Sequence, residues 1–295
     1  MEKRWKGIFL AVMGSVLWGA SGIGGQFLMQ DRAVSAEWLA AVRMIGAGLL
    51  LLLLDAARNR GGLFSLWQNK KDGLSLLVFA VVGMVGVQYT YFKAIVLSNA
   101  AAATILQYMM PFLVIFWTAL SSRRMPSAKT GVCVLLAVGG TVLLVTRGEW
   151  GRLAVSEAAL FWGLLSAAAA AFYLIQPRRL ICRSRSSLVV GWGMLLGGLS
   201  LSPLAGFGEP SGVWDGAAVL ALAFVILFGT AAAFWMYLSS VEYIEPSEAG
   251  LLNSVEPLSS ILFSILFFGM SFGLAECAGA LLIILAVLAV SCEKI

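Results

Sequence analysis

The chain has 295 residues, of which 60% are apolar and only 12% are Lys, Arg, Asp or Glu. Soluble domains carry about 25% charged residues, roughly twice this share, so a single soluble domain, a disordered chain and a nucleic-acid binder are excluded. The net charge of +5 fits a membrane protein whose basic loops gather on one side.

An apolar run of about 20 residues crosses a hydrocarbon core of about 30 Å. In chain order such runs occupy 7–28, 36–54, 74–93, 100–120, 130–146, 157–176, 188–206, 216–239, 247–269 and 272–291. The predicted fold class is an all-α integral membrane protein of ten transmembrane helices. The first run is too long for a signal peptide and lacks a clear cleavage site. The stretches between runs are too short to hold a soluble domain.

Across ten crossings the basic residues sort by side. Lys3, Arg4, Lys6, Arg58, Arg60, Lys70, Lys71, Arg123, Arg124, Lys129, Arg178, Arg179, Arg183, Arg185 and Lys294 share one side, and only Arg32, Arg147 and Arg152 take the other. Cytoplasmic loops are the ones rich in Lys and Arg. The expected location is therefore the cytoplasmic membrane, multi-pass, with both termini cytoplasmic. Trp5, Trp38, Trp67, Trp150 and Trp214 fall near run ends and read as an interfacial belt. Arg43 and Lys93 fall inside runs; snorkelling is the first reading and an acidic partner the second.

There is no histidine, which removes imidazole metal sites, Ser-His triads and Cys-His pairs. Cys133, Cys182, Cys277 and Cys292 form no Cys-x-x-Cys pair and read as free thiols in apolar surroundings. No metal and no cofactor is expected. With no HExxH pattern either, an enzyme is not expected.

The chain contains a repeat. YFKAIVLSNAAAATILQYMMP, from Tyr91 to Pro111, aligns without gaps with YLSSVEYIEPSEAGLLNSVEP, from Tyr237 to Pro257, at a spacing of 146 residues. Tyr91 matches Tyr237, Gln107 matches Asn253 and Pro111 matches Pro257. The halves 1–150 and 151–295 then hold five runs each. Five is odd, so the second half enters the membrane from the opposite side. Two inverted five-helix repeats are characteristic of secondary transporters.

Pro111 and Pro257 fall near the middle of their runs and mark helix breaks. A helical proline removes a donor and frees the carbonyl four residues back, here that of Gln107 and of Asn253. Such groups are tolerated at membrane depth only in protein or along a cavity. Glu256 lies nine residues into its run, a depth of about 14 Å. A charge there costs at least about 2.5 kcal/mol, so Glu256 is expected to face a polar cavity or to be protonated. Asn253 and Glu256, three apart, share a helix face; the first half carries Met110 where the second has Glu256. Further cavity-lining candidates are Trp18, Gln88, Tyr91, Tyr108, Trp162, Trp235 and Tyr237, whose rings can form an aromatic box for an organic cation. Gly193 and Gly197 read as a helix contact, Glu242, Glu245 and Glu248 as a solvated loop, and Glu276 as a helix-start charge.

WGASG at Trp18 to Gly22, RMIGAGLLLLLL from Arg43, LLNSVEPL from Leu251 to Leu258 and ECAGALLIILAV from Glu276 together resemble the drug/metabolite transporter superfamily, EamA type, over essentially the whole chain. The resemblance implies a central cavity between the first, third, fourth, sixth, eighth and ninth helices. It also implies export of small metabolites, often amino acids. It departs from the family at SSRRMPS and FGMSFGL, where an acidic residue near a turn is usual. The expected function is a secondary transporter of a small polar metabolite, an exporter working by alternating access. A carrier of an organic amine or quaternary ammonium cation is the alternative, and a non-transporting membrane scaffold is the reading from another class. Expected partners are the small-molecule substrate and the lipid bilayer, with no nucleic acid. Proton coupling through Glu256 is a further reading, and the assembly is a monomer or a homodimer.

Overall fold

The computed structural model describes residues 2–59, 62–122, 128–149, 155–181, 183–206, 211–240, 243–244, 249 and 252–291. Arg60, Arg123, Arg124, Arg152, Lys294, Trp150, Cys182, Cys292 and the Glu242, Glu245, Glu248 stretch lie outside the described residues. Among the described residues there is no strand.

Helix α1 (Glu2–Gln26) runs on into a π-helical turn, Phe27–Asp31, and α2 follows at Ala36–Asn59. Then α3 (Lys70–Val78), a π-helical segment (Phe79–Met84) and α4 (Val85–Leu97) form one continuous rod. Next come α5 (Ala100–Gln107), α6 (Met110–Ser122), α7 (Ala128–Thr146), α8 (Glu157–Ile175), the short α9 (Arg178–Ile181) and α10 (Ser186–Leu201). A second composite rod joins α11 (Gly216–Ile226), a π-helical segment (Leu227–Ala232) and α12 (Ala233–Ser240). The chain closes with α13 (Val255–Phe268) and α14 (Leu274–Ser291).

Among the described residues, six helical stretches are long and apolar enough to cross a membrane: Lys3–Asp31, Ala36–Arg58, Lys70–Leu97, Ala100–Trp117, Glu157–Ile181 and Gly216–Tyr237. Shorter apolar helices, Gly131–Thr146, Ser186–Leu201, Val255–Phe268 and Leu274–Ala289, fall on the remaining predicted runs.

The ends of these helices are written in local chemistry. Asn69, Asn99, Ser156 and Asp215 stand in extended conformation before α3, α5, α8 and α11, and each side chain accepts a first-turn N–H. That satisfies one of the donors a helix start leaves open. Asp215 also pairs with Arg32 at 2.9 Å. The Arg32 guanidinium, and after it the Ala218 N–H, hold the Asp215 carboxyl below the usual carboxylate range. Helix α13 ends at Gly269 with φ of 61°, a left-handed conformation open to glycine at little cost. Glu276 works as the predicted helix-start charge: it accepts the Gly273 N–H at 2.8 Å and pairs with Arg147 at 2.8 Å.

Helix α1 occupies the centre and touches α4, α5, α11, α12 and α13. Around it, α4 and α5 pack on α8, and α5 packs on α13. Outside these, α2 pairs with α10 and α7 with α14. Gly193 and Gly197 give the close helix contact read from their spacing, against Phe79 and the Ala80 backbone. Cys133 is a buried free thiol and Cys277 an exposed one. Lys93 corrects the snorkelling reading: it pairs with Glu37 at 2.7 Å, and the Tyr89 hydroxyl donates to the same carboxylate at 3.1 Å.

Candidate functional site

The chain turns at Tyr108–Met109, between α5 and α6, and again at Asn253–Ser254, just before α13. Pro111 is the second residue of α6 and Pro257 the third of α13. Proline fits the first turn of a helix, where its missing N–H has no intrahelical acceptor to lose. Each proline therefore opens the second segment of a split helix, and the split lies just ahead of it.

The two turns meet. The Tyr108 hydroxyl donates to the Asn253 carbonyl and accepts from Asn253 Nδ2 at 2.8 Å. The same carbonyl takes the Glu256 N–H at 2.9 Å. Asn253 Oδ1 accepts from Ser15 Oγ of α1 at 2.9 Å, and its Nδ2 lies 3.4 Å from Glu256 Oε2. The carbonyl expected to be freed by Pro257 is thus held by a side chain from the other break. An amide group left alone at this depth would be costly, so these bonds fasten the breaks to one another and to α1.

A cavity of about 450 Å³ opens at this junction, within the range of about 300–1,000 Å³ usual for ligand pockets. Nine residues singled out in the sequence line it: Trp18, Gln88, Tyr91, Gln107, Tyr108, Pro111, Tyr237, Asn253 and Glu256. Trp18 sits 4.9 Å from the Phe234 ring and 5.0 Å from that of Tyr237. Tyr91 and Thr104 share a hydroxyl hydrogen bond of 2.8 Å, which fixes that ring against α5. The Gln107 side chain makes no hydrogen bond among the described residues and lines the wall with its amide.

Two candidates are corrected. Trp162 does not line the cavity; it packs edge-on against Tyr89 at 5.7 Å. The residues that α8 sends to the cavity are Ala170, Tyr173 and Leu174, which begin eight positions and about 12 Å further along the helix. Trp235 is an exposed residue beneath the Arg58 guanidinium at 5.3 Å. Its neighbours Phe234 and Tyr237 take the cavity side, and a helical step of about 100° per residue turns Trp235 away. Pro257 is buried off the cavity wall.

The rest of the wall is Gly22, Arg43, Val87, Met110, Phe234 and Val287, with the three from α8. Arg43 is the one with a visible signal, a charge inside an apolar run, the same signal that marks Glu256. Neither of its two sequence readings holds: it is 6% exposed, and it has no acidic partner among the described residues. The assembled wall is amphipathic, with aromatic faces, three amides, one carboxyl and one guanidinium around a space for a small organic solute.

The sequence pattern of the EamA-like transporter family matches residues 5–146 and again 157–292. The inner membrane transporter YicL of Salmonella typhimurium is 40% identical over 294 residues, covering 100% of this chain and 98% of the relative. The transporter YetK of Bacillus subtilis is 25% identical over 279 residues, covering 90% of this chain and 80% of the relative. A protein of known crystal structure, 18% identical, superposes with a TM-score of 0.66 over 96% of each chain, so the fold is shared with it.

Proposed function

The chain belongs to the EamA-like transporter family and is a membrane transporter of the drug/metabolite type, and we propose that it is a secondary carrier exporting a small polar metabolite by alternating access. Amino acids and related compounds are the proposed substrate class. In this reading the chain crosses the cytoplasmic membrane ten times, as inverted halves 1–150 and 151–295 with both termini in the cytoplasm.

The observation that carries the reading is the bonding of the two broken helices across one polar cavity, Tyr108 to Asn253. Broken helices in matching places of two repeats are where carriers hold their cargo. The packing supports inversion too. If the halves exchange, α2 on α10 and α7 on α14 map onto themselves, while α4 on α8 maps onto α12 on α1. The aromatic rings of Trp18 and Tyr237 beside Glu256 favour the organic-amine alternative. The buried cation Arg43 on the same wall opposes it, because a second positive charge would enter the same low-dielectric space. A scaffold has no use for a polar cavity at the junction of both breaks.

Counterflow in proteoliposomes tests the reading. Vesicles loaded with one solute of a polar panel should accumulate its labelled form. Asn253→Ala removes the side-chain bonds to Tyr108, Ser15 and Glu256, leaving the Tyr108 bond to the backbone carbonyl, and should reduce the rate about tenfold or more, as expected for two or three buried hydrogen bonds of about 1 kcal/mol each. Trp235→Ala, off the cavity, should leave it near wild type. Counterflow that tolerates Asn253→Ala and fails with Trp235→Ala would contradict the site.

A further inference from the structure

Arg43 stands in α2 with its side chain turned to the cavity wall and is 6% exposed. The Phe92 ring lies 5.0 Å from its guanidinium carbon. Its Nε and Nη1 are buried without a hydrogen-bond partner, and no carboxylate oxygen of the described residues comes within 4.0 Å of the group. Other cations contrast with it. Arg32, Lys93, Arg147 and Arg185 each hold a carboxylate at 2.7 to 2.9 Å.

A guanidinium does not shed its proton in a protein. Burying one without a counter-charge is among the costliest arrangements a fold can keep. The Phe92 ring attracts the flat face of the group and leaves its rim of N–H donors free. That rim matches a planar anion with two oxygens. Glu256 is the only acid among the described residues that line the cavity, and it is not bonded to Arg43. The cavity thus carries a guanidinium and a carboxyl group on two different helices.

We propose that Arg43 is the binding site for a carboxylate group of the transported solute, with Asn253 and Glu256 receiving the solute's hydrogen-bond-donating end. This rests on the carrier reading above and narrows its cargo to solutes bearing a carboxylate. A carboxylate fits better than a phosphate: one guanidinium balances a single negative charge, and a dianion would leave the cavity with Glu256 doubly in excess.

The test uses purified full-length protein and matched trios: leucine, phenylalanine and serine, each beside its amide and its decarboxylated amine. Binding is read as the ligand-dependent rise in unfolding temperature. In at least one trio the amino acid should bind about tenfold or more tightly than its amide and amine, the loss expected when a charged hydrogen bond is removed. Arg43→Gln should erase that preference, and Arg43→Lys should keep part of it. If Arg43→Gln does not fold, the wild-type preference and Arg43→Lys still decide. Equal binding of amide or amine, a preference unchanged in Arg43→Gln, or no binding by any carboxylate member overturns the proposal. Counterflow of the same compounds separates the two levels. Exchange of amines with silent amino acids overturns only the role of Arg43; exchange of none, across these and the wider polar panel, overturns the carrier as well.

Discussion

Alanine in place of Gly19 is expected to lower stability by about 1–3 kcal/mol, the range for overpacking a closed interface, and to cut transport severely. Elsewhere in a helix the same change gains about 1 kcal/mol, because alanine is the better helix former. Two opposed effects meet here, and geometry decides. A Cβ at Gly19 would collide with Ser259 Oγ and stand 2.9 Å from the Glu256 carbonyl and 3.0 Å from the Ser260 nitrogen. Ser259 Oγ can rotate, but two of the three obstacles are backbone. They belong to the first two turns of α13, so relief requires α1 and α13 to separate. Their separation pulls Ser15 from Asn253 and shifts Glu256. Gly139 supplies the control: nothing lies within 4 Å of its Cβ position, so Gly139→Ala should be neutral or stabilising. Thermal unfolding of both variants, with counterflow on the same preparations, checks the sign and the coupling to transport. A stable, fully active Gly19→Ala protein would show that α1 and the second break need not touch.

Glu256→Gln is expected to abolish transport driven by a pH gradient while leaving solute exchange in place. The carboxyl lines the cavity at the start of α13, within reach of Asn253 Nδ2 at 3.4 Å. Glutamine keeps the size and the acceptor oxygen and cannot take or lose a proton. A carrier that must move a proton with each cycle is then stopped, whereas swapping labelled for unlabelled solute requires no net proton movement. The two assays run on one vesicle preparation. Loss of both would leave Glu256 with its solute contact alone and no separate part in coupling, and retention of gradient-driven uptake would remove Glu256 from coupling altogether.

Much of this architecture is legible in the sequence because the bilayer imposes it. Apolar length marks the helices. Glu256 stands out because charge is costly where it lies. What one sequence does not carry is direction around a helix. Arg43 has a visible depth, but only the packed fold places it on the cavity wall rather than on a path to the interface. Trp162 and Trp235 fail as wall residues for the same reason: their neighbours, not their chemistry, decide where they point. The bond between Tyr108 and Asn253, 145 residues apart, belongs to tertiary structure. The gapless match of Gln107 with Asn253 placed the two breaks in register without showing that one would fasten the other.

Alternating access is the central claim, and sided labelling of Gln107→Cys in a chain without its native cysteines tests it most directly. A membrane-impermeant thiol reagent is added to right-side-out and to inside-out vesicles, with and without a counterflow solute. Modification from both faces of the membrane is expected, with protection by the solute from each. Modification confined to one face under every gradient and solute condition, in a variant that still transports, would contradict it.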